Sequence, residues 1–373
     1  MNYDFTEQEL LFVGGVEKAA ESLPKAPASG RTFSAAEIKD ALAALAKADY
    51  LSVETGKAGK ASAIPLMAAM EALSAAAPDL YLSVEMSTRV FGGLLAAHGT
   101  GAAKEKVLKP LLAGELLGAV AMSEQAMNVE NDPFITQGSE EGGAVVVNGA
   151  KNWVINASAA DVVAVAGGMG DKAAFFLVPA GAPGLTISEP LPSLGFDKTP
   201  ISSLTLENVK VDKNMVLGPF DAKAILAEVK AFEDQVLCGA ALGAMKAAFS
   251  AAKDYAKTHK SGGKPVVAYQ MVGFKLSEML TMYQTSQLLA YRAVWLAEKK
   301  DKTAAEVLFC AKVFGSDSAE KVAGGALEVL SGAGYVGENV AQDAYRNAKW
   351  TQIAGTSNEI ARVKLGDGAL GYK

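Results

Sequence analysis

The chain has 373 residues, half of them hydrophobic and a fifth of them charged, and its formal net charge is −6. This composition excludes a disordered chain, and the acidic balance excludes the basic footprint of a nucleic-acid-binding protein. The length allows two or three domains. Two cysteines in apolar segments predict buried thiols, and two histidines are too few for a Cys/His zinc site.

Neither a targeting signal nor a membrane span is predicted. Residues 1–10 are acidic and lack the cationic start and the apolar run of a signal peptide. No uncharged apolar stretch reaches about 18 residues, the length of a typical spanning helix. We therefore expect a cytoplasmic protein.

In the first third of the chain, the spacing of apolar residues is typical of helices. From Phe5 to Leu116, alanine and leucine recur at spacings of three and four. A representative helix is Ser62–Ala76, which begins on a serine N-cap and is followed by Pro78. Residues 1–116 are therefore predicted to form an N-terminal helical domain.

The period changes near Gly118, and residues 117–220 are predicted to form a small antiparallel β domain. Asn148-Gly149 lies between two β-type runs and predicts a tight hairpin, because Asn-Gly supplies the two positive φ values that such a turn needs. Gly- and Pro-rich turns separate the further predicted strands, which are 161–166, 173–179, 185–189 and 203–211.

From Asp221, a suitable N-cap, the chain is predicted to be helical to its end. Long helices are expected to about Lys260, then over Ala268–Lys299 and Thr303–Leu330. Residues 221–373 are therefore predicted to form a second helical domain.

Seven short motifs follow one another from the middle of the chain to its end. They are Ala119–Glu124, Asn148–Val154, Leu194-Gly195 with Leu204–Val211, Gly263–Pro265 with Gln270, Ser331–Tyr335, Arg346–Lys349 and Gly355–Ile360. Their order resembles that of the acyl-CoA dehydrogenase family. The resemblance implies an α+β fold with an N-terminal helical domain, a middle antiparallel β domain and a C-terminal four-helix bundle.

The resemblance also implies ligands and partners. It implies FAD as cofactor, an acyl-CoA thioester as substrate, an electron-transferring flavoprotein as acceptor, and a homo- or hetero-oligomer, usually a tetramer. The residues at the family's flavin-contacting positions are Met122, Ser123, Trp153, Ile155, Gln270, Gly332, Ser357 and Glu359. Those at substrate-contacting positions are Val129, Asp234 and Gly355.

Gly332–Gly337 spells GxGxxG, but a dinucleotide fingerprint needs a preceding strand. A long helix is predicted there instead, so we reject a Rossmann unit. The resemblance implies that this turn lets backbone approach the flavin, and a helix C-cap is the alternative.

The reaction of the family needs a carboxylate that takes the α proton while the β hydrogen passes as hydride to flavin N5. Most members carry this base as the Glu of a Y-E-G-T loop. Here the corresponding position is Gly355 or Ala354, depending on which motif anchors the comparison. The loop resembles the long-chain and isovaleryl branches, whose base lies on an earlier helix. That position is Glu233 here.

Helical spacing supports Glu233 independently. It shares a stripe with Val229, Val236, Leu237 and Ala240, so it is an acid that interrupts an apolar face. Burial there would raise the pKa of its carboxyl group. The alternative is a solvated acid in the first turns of a helix.

Two other interpretations stay open. Glu85 is a second candidate base, which could deprotonate an alicyclic or unsaturated acyl group away from the α carbon. Several family positions are altered: Asp234 replaces an arginine, Ile155 replaces a hydroxyl residue, and Glu328 replaces a flavin-contacting glutamine. The chain could therefore be a catalytically degenerate subunit that pairs with an active homologue.

Overall fold

The computed structural model describes residues 4–28, 31–52, 62–125 and 132–372. Helices precede and follow a single large sheet, and the described chain changes from helix to strand between Leu112 and Gly118. It changes back between Phe220 and Ala222. Val129, a predicted substrate contact, lies outside the described residues.

The helices before the sheet begin at sequence-encoded caps. Thr6 and Glu9 form a capping box at the first helix, and Ser34 and Glu37 form one at the second. Two π-helical turns, Met86–Phe91 and Lys104–Leu108, join α-helical pieces. The α-helices are α1 (Glu7–Ser22), α2 (Ala35–Ala46), α3 (Ala63–Ala76), α4 (Pro78–Glu85), α5 (Gly92–His98), α6 (Gly101–Ala103) and α7 (Lys109–Leu112).

The predicted helix at Ser62–Ala76 is confirmed as α3, although the side chain of Ser62 makes no capping hydrogen bond. Apolar residues lie on every face of this helix, and most of the residues of the helix are buried. A helix of that kind belongs in the interior of a protein. It packs against α1 and against the first two long helices after the sheet, Ala222–Thr258 and Gln270–Glu298.

The sheet is mainly antiparallel, as predicted. Its order is β6-β7-β3-β2-β4-β5-β8, and β1 pairs with β4 in parallel. Two strands were not predicted: β2, which is mostly exposed, and β8. The strands are β1 (Gly118–Ala121), β2 (Gln137–Glu141), β3 (Ala144–Ile155), β4 (Val162–Met169), β5 (Lys172–Pro179), β6 (Leu185–Ile187), β7 (Ile201–Asp212) and β8 (Val216–Phe220).

The predicted hairpin at Asn148-Gly149 is wrong. These residues lie inside β3, which continues through them and pairs with β7 on both sides, with a register shift between Val147 and Gly149. A Cβ at Gly149 would lie 2.4 Å from Oγ1 of Thr136. The glycine therefore serves a close approach between chain segments, which a local turn rule does not detect.

The helices after the sheet form the predicted bundle, and Asp221 caps the first of them by accepting from the backbone N–H of Ala224 at 2.9 Å. A short hairpin, β9 (Lys260–Ser261) and β10 (Lys264–Pro265), separates the first two. The helices are α8 (Ala222–Thr258), α9 (Gln270–Glu298), α10 (Ala304–Leu330), α11 (Gly332–Tyr335), α12 (Val340–Ile353) and α13 (Asn358–Leu370).

Helix α8 is the centre of this bundle, in contact with α3, α9, α10 and α12. By length and composition alone it is apolar enough to cross a membrane. However, 61% of its most apolar window is buried inside the protein. The core helix of a packed domain meets the same criterion, so this feature is explained by the fold.

Candidate active site

A cavity of about 470 Å³ lies where the ends of β1 and β3 meet α8 and the segment that joins α12 to α13. Its volume is in the range of small-molecule sites. Six residues predicted from the sequence line it: Met122, Ser123, Trp153, Ile155, Glu233 and Gly355. Further lining residues that the sequence analysis did not single out are Met86, Lys230, Trp350 and Ile353.

A buried ion pair holds the strand side of the cavity. Lys151 Nζ donates to Oε1 of Glu124 at 2.6 Å and to the carbonyl of Met122 at 3.0 Å. Glu124 also accepts the backbone N–H groups of Ile135 and Thr136. The pair thereby ties the end of β1 to the middle of β3.

The pair is shielded from water, since both side chains are almost completely buried. Burial lowers the pKa of Lys151 to about 8, although the charge of Glu124 opposes this. Burial alone would raise the pKa of Glu124, but hydrogen bonds from Lys151 and Thr136 outweigh it and the pKa is lowered. Both groups are therefore charged near neutral pH.

Trp153 presents an indole ring to the cavity. Its backbone has a φ of 56°, a region that residues other than glycine seldom adopt, and the residue is 55% exposed. Much of the flat apolar surface of this indole is therefore left uncovered by the protein, on the side of the cavity. This geometry fits a planar ligand.

Glu233 lies on the opposite, helical side. It is only 8% exposed, so the alternative of a solvated acid is wrong. Burial, and after it the charge of Asp234, raises the pKa of Glu233 to about 7. Lys312, Lys230 and the backbone N–H of Gly355 act in the opposite direction. The site therefore contains a carboxyl group that titrates near neutral pH.

Two lysines near Glu233 were missed by sequence reasoning. Lys230 lines the cavity one helical turn before Glu233 and is 7% exposed, while Lys312 of α10 is 1% exposed. Lys312 interrupts a buried stripe that includes Leu308, Ala311 and Ala319. The reasoning that selected Glu233, a charge within an apolar stripe, would have found Lys312 as well.

Gly355, one of the two loop positions that correspond to the usual base of the family, has no room for a side chain. Gly355 has a φ of 61°, and a Cβ there would lie 2.4 Å from Oδ1 of Asp234 and 3.0 Å from Leu237. The backbone N–H of Thr356 donates to the same Asp234 oxygen at 2.8 Å. Asp234 therefore occupies the space that a side chain at position 355 would need.

Glu85 is fully buried but does not line this cavity. Its Oε2 accepts from Arg89 Nε at 3.2 Å, and Arg89 also donates to the carbonyls of Tyr50 and Ser52. Burial raises the pKa of Glu85, against the charge of Arg89. The side chain of Tyr50 is a further hydrogen-bonding neighbour of this carboxyl group.

The remaining predicted cofactor contacts lie away from the cavity lining of this chain. Gln270, Gly332 and Glu359 are exposed, and Ser357 caps α13 by accepting from the backbone N–H of Ile360. Glu328, at the altered glutamine position, pairs with Lys275.

The GxGxxG segment lies after α10 and partly forms α11, so no strand precedes it. This agrees with the rejection of a Rossmann unit.

Comparison with known proteins assigns the chain to a family. The family model described as "Acyl-CoA dehydrogenase, middle domain" matches residues 119–209, and "Acyl-CoA dehydrogenase, C-terminal domain" matches residues 231–370. Benzylmalonyl-CoA dehydrogenase of Aromatoleum aromaticum is 31% identical over 270 residues, which cover 70% of each chain. The human mitochondrial short-chain specific acyl-CoA dehydrogenase is 28% identical over 304 residues, covering 80% of this chain and 73% of the relative.

Solved structures show the same fold. Butyryl-CoA dehydrogenase from Megasphaera elsdenii superposes with a TM-score of 0.91 at 23% identity, covering 99% of this chain and all of the other. A glutaryl-coenzyme A dehydrogenase in complex with glutaryl-CoA has a TM-score of 0.91 at 21% identity, covering 100% of this chain and 98% of the other.

The two family models and the curated relatives place the chain among the flavoprotein oxidoreductases of the acyl-CoA dehydrogenase type. The chain belongs to the acyl-CoA dehydrogenase family.

Proposed function

We propose that this enzyme oxidises an acyl-CoA thioester and that Glu233 is the base that removes the α proton. The observation that carries the proposal is a buried carboxyl group, with a pKa of about 7, on the wall of a cavity that faces Trp153. A base whose pKa lies near the working pH combines a useful deprotonated fraction with sufficient basicity.

The cavity lining fits a flavin. The exposed indole of Trp153 offers a face for a planar ring, and Met122, Ser123 and Ile155 form an adjoining wall at the ends of two paired strands. FAD, when bound, would accept the β hydrogen as hydride at N5. Glu233 lies on the helical side of the same cavity, where its carboxylate would meet the α carbon of a thioester bound beside the flavin.

The residues around Glu233 prepare it for this role. Burial between α8 and the segment containing Gly355 excludes water from the carboxylate, which raises its proton affinity. Lys230 and Lys312 keep that rise moderate, because their charges favour the deprotonated form. The chain thus supplies a carboxyl group that can be ionised at neutral pH.

The proposal is tested by anaerobic titration of the purified holoprotein with straight, branched, aromatic and alicyclic acyl-CoA thioesters. We expect a yellow protein whose flavin absorbance is bleached by at least one of these compounds. A colourless protein that takes up no FAD would overturn the enzymatic proposal and support the degenerate-subunit alternative.

The rate of flavin reduction is expected to rise with pH through about 7, because the active form of Glu233 is the carboxylate and its pKa lies there. Stopped-flow reduction between pH 5.5 and 8.5 with a reactive thioester measures this. A rate that is flat across this range would show that no group with a pKa near 7 acts as the base.

Glu85 remains the second candidate base, for substrates that lose a proton away from the α carbon. Its burial and its raised pKa favour it. Its absence from the cavity lining and its pairing with Arg89 oppose it. Bleaching by an alicyclic thioester that survives Glu233→Gln but not Glu85→Gln would support this alternative.

We further propose that the protein is oligomeric and passes electrons to an electron-transferring flavoprotein. Large apolar side chains exposed along α9 support an oligomer: Met271 is 74% exposed, Phe274 53% and Leu288 49%. Such exposure is typical of surfaces that are covered in an assembly. Gln270 lies next to this surface, so its predicted flavin contact is compatible with a site shared between copies.

A further inference from the structure

The segment that follows Gly355 is held at both backbone polar groups of a single residue. The N–H of Thr356 donates to Asp234 Oδ1 at 2.8 Å, and its carbonyl accepts from Lys312 Nζ at 2.6 Å. Thr356 is 2% exposed, Lys312 1%, and Asp234 is completely buried. Side chains from two helices, α8 and α10, therefore hold the backbone of this one residue.

The two gripping side chains also form a buried pair of opposite charge. Lys312 Nζ lies 4.0 Å from Asp234 Oδ1. Thr356 contacts this carboxyl group through its side chain as well as through its backbone N–H. A buried charge is costly unless it is both paired and hydrogen-bonded, and Asp234 meets both conditions here.

Asp234 also adjoins the proposed base. It follows Glu233 on α8, and its charge acts on Glu233 together with those of Lys230 from the same helix and Lys312 from α10. From the loop, the backbone N–H groups of Gly355 and Thr356 face the two carboxyl groups. Thr356 also hydrogen-bonds Asp234 with its side chain, and the thiol of Cys238 lies one turn further along α8.

We infer that Asp234 and Lys312 form a clamp on Thr356 that positions the Gly355 loop against Glu233, and that Asp234 is a positioning residue for the base. The clamp has two separable actions. The oxygen that accepts from Thr356 fixes the loop, whereas the negative charge of Asp234 raises the proton affinity of Glu233. The second action rests on the proposed function; the first does not.

The two actions are separated by Asp234→Asn and Asp234→Ala. Asparagine keeps an oxygen that accepts from Thr356 but removes the charge, whereas alanine removes both. Asp254→Asn, at an exposed position of the same helix, is the matched control. Lys312→Met removes the donor to the Thr356 carbonyl and serves as a second variant of the clamp.

Amide hydrogen exchange of the Thr356 peptide in the holoprotein measures the positioning action without any turnover. We expect exchange to be about 10- to 100-fold faster in Asp234→Ala, the loss that corresponds to a hydrogen bond to a charged group. It should stay close to wild type in Asp234→Asn and Asp254→Asn. Unchanged exchange in both Asp234→Ala and Lys312→Met would overturn the clamp.

The pH profile of flavin reduction measures the charge action. In Asp234→Asn the midpoint should move to lower pH by about one unit, because a neighbouring negative charge no longer opposes ionisation of Glu233. In Lys312→Met it should move to higher pH. If amide exchange at Thr356 changes but the pH midpoint of flavin reduction moves in neither variant, Asp234 has only a structural role. If no thioester bleaches the wild-type flavin, the proposed function fails while the exchange result still decides the clamp.

Discussion

Replacing Glu233 with glutamine is expected to slow flavin reduction by a reactive acyl-CoA by about 100- to 10,000-fold, the usual contribution of a general base. Glutamine has nearly the same shape and keeps the cavity wall, but its amide cannot accept the α proton. Anaerobic stopped-flow absorbance of the flavin measures the rate, and the flavin content of the variant shows whether the cofactor is retained.

The matched control is Glu228→Gln, on the same helix but outside the cavity lining, where Glu228 contacts His98. Its rate should stay within a factor of two to three of wild type. Adding Gly355→Glu to the Glu233→Gln variant should not restore activity, because a Cβ at 355 collides with Asp234. A Glu233→Gln protein that reduces its flavin at the wild-type rate would remove Glu233 from the mechanism.

Replacing Lys151 with methionine is expected to destabilise the protein by about 3–5 kcal/mol. The change leaves the carboxylate of Glu124 buried with two backbone donors but without its cation. Urea unfolding followed by tryptophan fluorescence measures the effect as a shift of the transition to lower urea.

Lys210→Met is the control, because Lys210 is an exposed residue of β7 and its loss should change stability by less than about 0.5 kcal/mol. Replacing both partners, with Glu124→Leu added to Lys151→Met, should recover part of the loss, since no charge then stays buried alone. If Lys151→Met unfolds at the same urea concentration as Lys210→Met, the buried pair contributes nothing measurable.

Much of the fold could be predicted because the spacing of apolar residues in each helix and strand is a local property of the sequence. The stripe of α8 and the cap at Asp221 need only neighbouring residues to be recognised. The error at Asn148-Gly149 has the opposite origin. The requirement for glycine at 149 comes from Thr136, which lies in another segment and is brought close only by the sheet.

The features of the candidate site also divide into those that depend on neighbouring residues and those that depend on tertiary contacts. Glu233 could be selected from its own helix, since four apolar residues share its stripe. The reason that position 355 carries no side chain could not be read, because Asp234 lies 121 positions earlier in the chain and only the tertiary structure shows their approach. Lys312 could have been selected by the same local argument as Glu233, since it interrupts a buried apolar stripe of α10. The exposed residues Gln270 and Gly332 were predicted only from the resemblance, since nothing local distinguishes them.

The raised pKa of Glu233 links ligand binding to proton uptake. At pH 7 a carboxyl group with a pKa of about 7 is protonated in close to half of the molecules. An apolar acyl group that displaces water from the cavity raises this pKa further, so binding draws a proton from solution before any bond is broken. If Glu233 is the base as proposed, we expect the affinity for a non-reactive acyl-CoA analogue to weaken as the pH rises, in the same range in which the carboxylate becomes available for catalysis. The pH that favours binding should then lie below the pH that favours oxidation.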